Sequence, residues 1–523
     1  MAEPFYITTA INYANGRPHV GHAYEAIAAD AMARHQRLAG RDVFFMTGTD
    51  EHGLKMAQAA RARDMEPLAL ADEISSLFRR MDEVLNISYD RFIRTTEADH
   101  YVASQALWSA MRANGDIYLD RYEGWYSVRD EAFYDEKELI TGETGEKLSP
   151  QGTPVEWTVE ESWFFRLSAY QEKLLAFYEA NPRFIQPDSR RNEVVSFVRG
   201  GLSDLSISRT SFSWGVPVPD SDGHVMYVWV DALTNYLTGV GYPEVESKSY
   251  KRYWPADLHI IGKDIVRFHA VYWPAFLLSA KLELPKQVFG HGFLLNRGEK
   301  MSKSVGNVAD PLAIADRYGV DALRYFLLRE VPFGQDGSYS DEAIVARNNA
   351  ELANSFGNLA QRVLSLISKN CAGELPPCIN LAEEDEALLT KVRQACREDI
   401  PAAFGTLAFS QGLENWLQAV FACNQYVDIQ APWALKKTDI ERMKTVLAVL
   451  FMCIRDLAIV ISPIVPSSAS KLLDQLGMSA DARDHAALQD RNWYERLAAS
   501  DFRLSPPVPV FPRLEVVEAV EQG

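Results

Sequence analysis

The 523-residue sequence predicts an α/β fold, in which a doubly wound parallel sheet is split by an inserted domain and followed by an α-helical bundle. Near the start, a β-rich run at 5–9, a polar loop, an alanine-rich helical segment at 23–39 and an apolar run at 43–46 give the order strand, loop, helix, strand. From 117 to about 214, aromatic and turn residues alternate, which indicates a folded insertion. From 341 onward the periodicity is helical.

The polar loop before the first helix carries two histidines on either side of a glycine. Pro18 holds residues 16–17 outside the helix, because residues before proline avoid the α region. Gly21 leaves room for a phosphate or a flat ring beside the backbone. His19 and His22 can donate hydrogen bonds to phosphate oxygens at a helix N-terminus, which itself attracts anions. Taken alone, the motif is equally compatible with two capping histidines at a surface loop.

A second short motif, Lys-Met-Ser-Lys-Ser at 300–304, follows far downstream. Together the two motifs resemble those of the class I aminoacyl-tRNA synthetases. Five further segments narrow the resemblance to the methionyl-tRNA synthetase family: Asn12–Gly16, Thr47–Gly53, Asp204–Arg209, Tyr227–Ala232 and Gly262–Ile265. The resemblance runs from about Pro4 to about Ala434, and its motifs are ordered and differently composed.

The resemblance implies an ATP-dependent, AMP-forming ligase. Such an enzyme joins L-methionine to ATP as methionyl-adenylate, releases pyrophosphate and transfers methionine to the 3′-terminal adenosine of tRNA(Met). ATP with Mg²⁺ would be the cofactor, and tRNA(Met) and L-methionine the partners. The alternative is another class I synthetase for an apolar amino acid, although those usually carry a large editing insertion and the stretch 117–214 is too short for one. A small-molecule adenylyltransferase and a catalytically silent tRNA-binding protein are further alternatives.

The resemblance also assigns residues to sites. The catalytic residues would be His19, His22, Lys300 and Lys303. The ATP-binding residues would be His19, Gly21, His22, Gly262, Asp264, Lys300, Ser302 and Lys303. The methionine-binding residues would be Ile11, Tyr13, Asp50, Trp229, Ala232, Tyr236, Ile265, Phe268 and His269. The residues that contact the tRNA anticodon would be Asn358, Arg362 and Trp433.

Elementary chemistry supports several of these assignments and leaves alternatives for others. Asp50 follows an apolar strand, where its carboxylate can meet an α-ammonium group, and a helix cap is the alternative. A thioether packs well against aromatic rings, and the tautomer of His269 could favour sulfur over a plain alkyl chain. Asn358 and Arg362 lie one helical turn apart and share a face. Trp433 resembles a ring on which an anticodon base stacks, and a place in the core is the alternative.

The insertion departs from the family pattern at the position of a zinc knuckle. In the family this insert usually carries cysteine pairs that bind zinc. Here Ser127 and Asp130 stand where a CxxC pair would be, and no cysteine precedes Cys371. Structural zinc sites use Cys and His as ligands, so the sequence predicts an insert without metal.

The expected domain boundaries follow from these patterns and from the resemblance. We expect a first half of the catalytic domain at 1–116, an inserted connective domain without a zinc knuckle at 117–225, the second half of the catalytic domain at 226–295, the second-motif loop and stem-contact region at 296–345, a helical anticodon-binding domain at 346–515 and an acidic tail at 516–523.

Composition and charge restrict the partners and the compartment. The net charge is -18, so any tRNA contact must use local basic and aromatic patches. Five scattered cysteines without a CxxC pair indicate reduced thiols, and Met1–Pro4 lacks the features of a signal peptide. The longest apolar stretch, 446–465, is interrupted by charges and a proline, which indicates a buried helix rather than a membrane span. We therefore expect a cytoplasmic monomer.

Overall fold

The computed structural model describes residues 2–130, 132–142, 144–296, 299–300 and 309–516. Of the second motif, the backbone of Lys300 belongs to a described strand. The side chain of Lys300, the residues Ser302 and Lys303, and the tail beyond 516 lie outside the described part of the chain. The roles predicted for them stay predictions.

The strands of the described chain are short outside the first half of the molecule. They are β1 Pro4–Thr9, β2 Asn12–Tyr13, β3 Asp42–Asp50, β4 Arg91–Arg94, β5 Ile117–Ser127, β6 Ala132–Tyr134, β7 Ile140–Thr141, β8 Lys147–Leu148, β9 Glu156–Phe165, β10 Ile185–Gln186, β11 Leu205–Ser206, β12 Ser208–Arg209, β13 Val225–Met226, β14 Leu258–Gly262, β15 Val288–His291, β16 Leu294–Asn296, β17 Glu299–Lys300 and β18 Gly337–Tyr339.

The helices alternate with the strands in the first half and then follow one another to the end of the described chain. They are α1 Val20–Leu38, α2 Leu54–Ala62, α3 Pro67–Val84, α4 Ala98–Ala113, α5 Gln171–Ala180, α6 Asp188–Arg199, α7 Val228–Thr238, α8 Lys248–Tyr253, α9 Trp273–Ser279, α10 Pro311–Tyr318, α11 Val320–Arg329, α12 Asp341–Arg347, α13 Asn358–Asn370, α14 Glu383–Gln394, α15 Ile400–Gly405, α16 Phe409–Gln430, α17 Pro432–Thr438, α18 Ile440–Ile461, α19 Pro466–Gln475, α20 His485–Gln489 and α21 Trp493–Ala498.

The main sheet has seven strands, all parallel, in the order β10, β15, β14, β1, β3 and β2, with β4 also paired to β3. The central strand β1 is buried from Phe5 to Thr9, as expected for a strand covered on both faces. From β1 the sheet extends through β3 on one side and through β14 on the other. Because the strand order runs in opposite directions on the two sides of β1, the end of β1 is a topological switch point. Doubly wound sheets bind their ligands at such points, at the carboxyl ends of the strands.

The insertion forms a second sheet beside the first. Its strands are antiparallel in the order β11, β9, β5 and β6, and β5 and β9 pair along most of their length. The predicted range 117–225 also contains β10, which pairs with β15 of the main sheet. A strand of two residues leaves no periodic pattern, so the sequence could not separate it from the insertion.

The helical bundle packs directly onto the sheet domain, and one apolar core runs through both. Arg324 on α11 is fully buried and joins the two parts. Its guanidinium donates to the Asp30 carboxylate at 2.6 Å and to the backbone oxygen of Leu85 at 3.2 Å in the sheet domain. It also donates to the backbone oxygens of Pro463 at 2.9 Å and Ile464 at 3.0 Å in the bundle. A buried ion pair that also satisfies backbone acceptors fixes the relative position of the two parts.

The apolar stretch at 446–465 lies mostly within α18, which is buried along nearly its whole length. In the part of the chain that the structure describes, no helix combines the length and the apolarity that a membrane crossing requires. The spacing of Leu352, Phe356, Leu359, Val363 and Leu366 predicts a core stripe. The first four are fully buried, whereas Leu366 is partly buried.

Candidate active site

The first motif forms the N-terminus of α1 and is stabilised by its own two histidines. The Nδ1 atom of His19 accepts a hydrogen bond from the backbone N–H of Gly21 at 3.1 Å. The Nδ1 atom of His22 accepts one from the backbone N–H of His19 at 3.1 Å, and the two rings stack at 3.7 Å. Because both Nδ1 atoms act as acceptors, the ring protons lie on Nε2. The histidines therefore cap the helix and keep their Nε2–H groups as donors.

The histidine cap also explains why Gly21 has no side chain. A Cβ atom at this position would lie 2.9 Å from Cε1 and 3.0 Å from Nδ1 of the His19 ring. From the sequence we expected a glycine here because a ligand approaches the backbone. The structure adds a second reason, because the His19 ring that caps the helix occupies the space of a side chain at Gly21.

A cavity of about 260 Å³ opens between the start of α1 and the carboxyl ends of β14 and β15. All the predicted ATP-binding residues whose side chains are described line it: His19, Gly21, His22, Gly262 and Asp264. Its place at the switch point of the sheet is the place expected for a nucleotide. We call it the nucleotide cavity.

Glu25 and His291 line the nucleotide cavity and were not predicted from the sequence. Their side chains are 2.8 Å apart, and Glu25 also accepts from the backbone N–H of Ala10 at 3.0 Å. Burial raises the pKa of Glu25. Burial alone would lower the pKa of His291, but the facing Glu25 raises it above its usual value. Glu25 lies three residues after His22, so the helical spacing could have placed it on the face of the motif.

A larger cavity of about 410 Å³ adjoins the nucleotide cavity, and both are lined by His22, Glu25, Gly262 and Asp264. The structure brings all nine predicted methionine-binding residues to its wall: Ile11, Tyr13, Asp50, Trp229, Ala232, Tyr236, Ile265, Phe268 and His269. These residues come from four separate stretches of sequence. We call this space the amino-acid cavity.

Aromatic rings form one wall of the amino-acid cavity. The rings of Trp229 and Phe268 stack face to face, with centroids 3.8 Å apart and an angle of 5°. His269 lies at 80° to Trp229 with a centroid distance of 6.1 Å. Trp229 belongs to α7, whereas Phe268 and His269 lie in a π-helical turn at Phe268–Tyr272. Single π turns often occur at functional sites, and this one was not predicted from the sequence.

The hydrogen bonds of His269 define the tautomer of its ring. Burial lowers the pKa of His269 to about 4, so the ring is neutral at physiological pH. Its Nδ1 lies 3.0 Å from the backbone oxygen of Ile265 and must donate to it. Its Nε2 therefore accepts from the Tyr236 hydroxyl at 2.7 Å. Both ring nitrogens are engaged with the protein, and the preference of His269 for sulfur over an alkyl chain stays a prediction.

Asp50 ends β3 at the amino-acid cavity and is 7% exposed. The alternative role of helix cap is wrong, because α2 begins after Gly53 and has no side-chain cap. A nearly buried carboxylate at the wall of a cavity is suited to bind a cationic group.

A buried network around Asp231 joins α7 to the loop after β3. The two oxygens of the Asp231 carboxylate lie 2.6 Å from Nδ1 of His52 and 2.7 Å from Nε2 of His100. Burial alone would raise the pKa of Asp231, but the two histidines lower it to about 2. The Tyr13 hydroxyl donates to the backbone oxygen of His52 at 3.0 Å, which connects the network to the cavity wall. The sequence did not reveal this network because its members are far apart along the chain.

Ser127 and Asp130 belong to a compact cluster of hydrogen bonds in the insertion. Ser149 and Thr153 donate to the Asp130 carboxylate at 2.5 and 2.7 Å. The hydroxyls of Ser127 and Thr153 are 2.6 Å apart. We call these four residues the Asp130 cluster. Across the described ranges no group of three or more Cys, His, Asp or Glu is placed to hold a metal ion. The zinc-free insert stays a prediction.

The predicted anticodon-reading residues lie on the surface of the bundle. Asn358 is exposed at the start of α13, and Arg362 follows one turn later. The guanidinium of Arg362 donates to Asp428 at 3.1 Å and lies 5.5 Å from the ring centroid of Trp433. Trp433 is 42% exposed, so the alternative that it is a core residue is wrong.

Comparison with known proteins agrees with the sheet, the cavities and the bundle. A family model described as "tRNA synthetases class I (M)" matches residues 5–364, and one described as "Anticodon binding domain of methionyl tRNA ligase" matches residues 375–511. The parallel sheet with its nucleotide cavity and the first match define a class I aminoacyl-tRNA synthetase.

Full-length relatives give the family within that class. The methionine-tRNA ligase of Brucella suis biovar 1 is 59% identical over 521 residues, which cover 100% of this chain and 99% of the relative. The methionine-tRNA ligase of Mycobacterium tuberculosis (strain ATCC 25618 / H37Rv) is 57% identical over 518 residues, which cover 98% of this chain and 98% of the relative. The chain belongs to the methionine-tRNA ligase family. This family differs from two alternatives considered from the sequence, another class I synthetase for an apolar amino acid and a small-molecule adenylyltransferase.

A solved structure supports the same assignment. The methionyl-tRNA synthetase of Mycobacterium tuberculosis in complex with methionyl-adenylate is similar to this chain with a TM-score of 0.94 and 57% identity, over 98% of this chain and 100% of that one. The apo form from the same organism has a TM-score of 0.88 at 53% identity, over 98% of this chain and 99% of that one.

Proposed function

We propose that this chain activates L-methionine with ATP in the two adjoining cavities and then transfers it to tRNA(Met). The observation that carries the proposal is the convergence of all nine expected methionine-binding residues on one cavity that opens onto the nucleotide cavity. Family membership supports the overall reaction, that of an ATP-dependent ligase. The roles of individual residues are our proposal.

In the first step the methionine carboxylate attacks the α-phosphorus of ATP. A bond forms between a carboxylate oxygen and phosphorus, and the bond from that phosphorus to pyrophosphate breaks. The Nε2–H groups of His19 and His22 are suited to hold phosphate oxygens, with the helix N-terminus behind them. Lys300, Ser302 and Lys303 would meet the β- and γ-phosphates, where negative charge develops as pyrophosphate leaves.

Methionine would lie with its ammonium group at Asp50 and its side chain among the rings. The stacked pair of Trp229 and Phe268 offers a polarisable face, which a thioether contacts favourably. The hydrogen bond between His269 and Tyr236 satisfies the Nε2 atom and the hydroxyl group that form it, so neither of these groups requires a polar substrate. This arrangement favours an apolar, polarisable side chain.

Magnesium would enter with ATP. Mg²⁺ in nucleotide sites is held largely by substrate phosphates and water, with one or two carboxylates from the protein. The described residues include no preformed group of metal-binding side chains, and this fits an ion that the nucleotide carries. Asp264, at the junction of the two cavities, is our candidate for the ATP ribose.

In the second step a hydroxyl of the terminal adenosine of tRNA attacks the carbonyl carbon of the adenylate. The new ester bond forms, the bond from that carbon to the AMP phosphate oxygen breaks, and AMP leaves. Recognition of the anticodon would occur far from this chemistry, at Asn358, Arg362 and Trp433, where an exposed ring and a guanidinium are adjacent.

We also propose that the enzyme works as a cytoplasmic monomer. All five cysteines are free thiols in the structure, which suits a reducing compartment.

The direct test is pyrophosphate exchange into ATP, measured with each amino acid in turn and without tRNA. We expect exchange with methionine and little with leucine, isoleucine or valine. Exchange that depends on another apolar amino acid would overturn the proposed substrate. Exchange without any amino acid would indicate an adenylyltransferase, and no exchange would indicate a silent tRNA-binding protein.

A further inference from the structure

A small cavity in the helical bundle is surrounded by arginine side chains. It lies between α14, α18 and the segment that joins α20 to α21, and its volume is about 20 Å³, which is room for roughly one water molecule. Its lining includes the side chains of Arg393, Arg397 and Arg491, and the carboxylates of Asp456 and Asp490. We call it the arginine cavity. Three cations from two separate parts of the chain therefore share one small space.

The two carboxylates of the arginine cavity are already paired with other arginines. Asp456 lies 2.7 Å from the buried Arg455, and Asp490 pairs with Arg496. When these partners are included, five guanidinium groups share two carboxylates. This local excess of positive charge stands out in a chain whose net charge is -18, and it attracts an anion.

Arg397 carries the clearest sign of an absent anionic partner. The residue is half-buried, and its Nε atom is buried without a hydrogen-bond partner in the described part of the chain. Burial lowers the pKa of Arg397, and the charges of Arg393 and Arg491 lower it as well, whereas Asp456 raises it. A buried donor without an acceptor costs free energy, so an anion that supplies an acceptor would be bound favourably.

The local backbone brings two of the cations together. Arg393 belongs to α14, and Arg397 lies in a π turn at Ala395–Asp399 that continues the helix. Residues four apart in a helix are neighbours, and like charges at this spacing repel each other. An anion between the two guanidinium groups would replace this repulsion by attraction. Single π turns are also frequent at functional sites.

The arginine cavity is remote from the nucleotide cavity. The helix α1 begins at the nucleotide cavity and ends beside α20, where the rings of His35 and His485 are 5.4 Å apart. From His22 to His35 this helix extends about 20 Å. The helix α20 adjoins the arginine cavity, since Arg455 donates to the backbone oxygen of Ala487 at 2.7 Å. A ligand in the arginine cavity is therefore separate from bound methionine and ATP.

We propose that the arginine cavity binds one free phosphate group, either inorganic phosphate or the end of a small phosphate ester, with one oxygen in the cavity and the guanidinium groups of Arg393, Arg397 and Arg491 on its oxygens. A guanidinium suits this role because its parallel N–H donors match the spacing of phosphate oxygens. The bound group would connect α14 with the segment between α20 and α21. Because it binds only the folded bundle, it would stabilise the protein.

The test is a calorimetric titration with inorganic phosphate and with glycerol phosphate, at constant ionic strength set with potassium chloride. It compares Arg397→Gln and Arg491→Gln with Arg503→Gln, a matched control whose arginine pairs with Glu374 elsewhere in the bundle. We expect saturable binding that is weaker by about tenfold or more in the first two variants, the scale of one charge-assisted hydrogen bond. Arg503→Gln should bind as the unmodified protein does. The probe that binds more tightly identifies the ion or the ester as the ligand.

Thermal unfolding separates a binding role from a structural one. Without phosphate, Arg397→Gln should melt no lower than the unmodified protein, because the substitution removes a repulsion between like charges. Phosphate should raise the melting temperature of the unmodified protein and of Arg503→Gln, and raise that of Arg397→Gln much less. A melting temperature that is lower by the same amount with and without phosphate would mean that Arg397 supports the fold, and it would overturn the proposal.

Three further results would overturn the proposal. The first is the absence of saturable binding of both probes, and the second is equal binding by the unmodified protein, Arg397→Gln and Arg491→Gln. The third is a fall in kcat/KM of aminoacylation in Arg491→Gln although neither probe binds, which would assign the arginines to the tRNA backbone instead. The inference does not depend on the proposed function, because methionine-dependent pyrophosphate exchange enters none of these measurements.

Discussion

Replacing Trp433 by alanine tests whether the bundle reads the anticodon. The ring is 42% exposed and lies beside the Arg362 guanidinium at 5.5 Å. A stacked base loses about 1–3 kcal/mol when its aromatic partner is removed, so kcat/KM of aminoacylation should fall roughly 5- to 150-fold. Because nearly half of the ring is already in solvent, the loss of unfolding free energy should stay well below the roughly 3–5 kcal/mol typical of a buried aromatic residue.

The assay measures three quantities on one preparation: aminoacylation of tRNA(Met), methionine-dependent pyrophosphate exchange without tRNA, and thermal unfolding. Trp433→Ala should lose only the first. Trp157→Ala provides a control for the removal of an exposed tryptophan, since Trp157 is 52% exposed on the insertion and outside the bundle. Impaired exchange together with a large loss of stability would refute the reasoning, because it would mean that Trp433 supports the fold rather than the anticodon.

The remaining predictions concern the catalytic domain. Lys303→Ala should slow adenylate formation at saturating methionine by about 10²–10³-fold and leave the methionine dissociation constant near normal. A weaker binding of methionine with an unchanged rate at saturation would show that Lys303 does not stabilise the transition state. Elemental analysis of the purified protein should find no stoichiometric zinc, because the Ser127 hydroxyl and the Asp130 carboxylate stand where a CxxC pair would be. A plot of the methionine dissociation constant against pH should show no inflection near pH 6.5 from His269, because burial lowers the pKa of His269 to about 4 and the ring is neutral above that value. An inflection that is present in the unmodified protein and absent in His269→Gln would contradict this. Asp231→Asn should raise the KM for methionine and lower the unfolding free energy by on the order of 3 kcal/mol. The reason is that two buried histidines lose a charged hydrogen-bond acceptor. Unchanged values would show that the Asp231 network does not support the cavity.

Much of the fold could be predicted because its signals are local. The strand at 5–9, the helix that ends before Gly40 and the strand that begins near Val43 all form as expected, and Gly40 has a positive φ of 80°. The two-residue strand β10 could not be predicted, because its place in the main sheet depends only on pairing with β15. The π turn that carries Phe268 and His269 was also invisible, since its hydrogen-bond pattern leaves no separate sequence period.

In the candidate site, as in the fold, residues in local motifs could be predicted, whereas contacts between distant segments could not. The resemblance was enough to place nine residues on one cavity, because each lies in a recognisable segment. The contacts of Asp231 and the partners of Asp130 were missed, since they join segments that are distant in the sequence. The tautomer of His269 also had to be read from its two hydrogen bonds, because neither partner could be recognised from the sequence.

The most direct measurement of the central claim is the isolation of the reaction intermediate. The protein is mixed with ATP and all amino acids without tRNA, the bound product is separated, and tRNA(Met) is then added. We expect about one methionyl-adenylate per chain, and transfer of its methionine to the tRNA with release of AMP. An adenylate of another amino acid, or a bound methionyl-adenylate that tRNA(Met) does not discharge, would contradict the account.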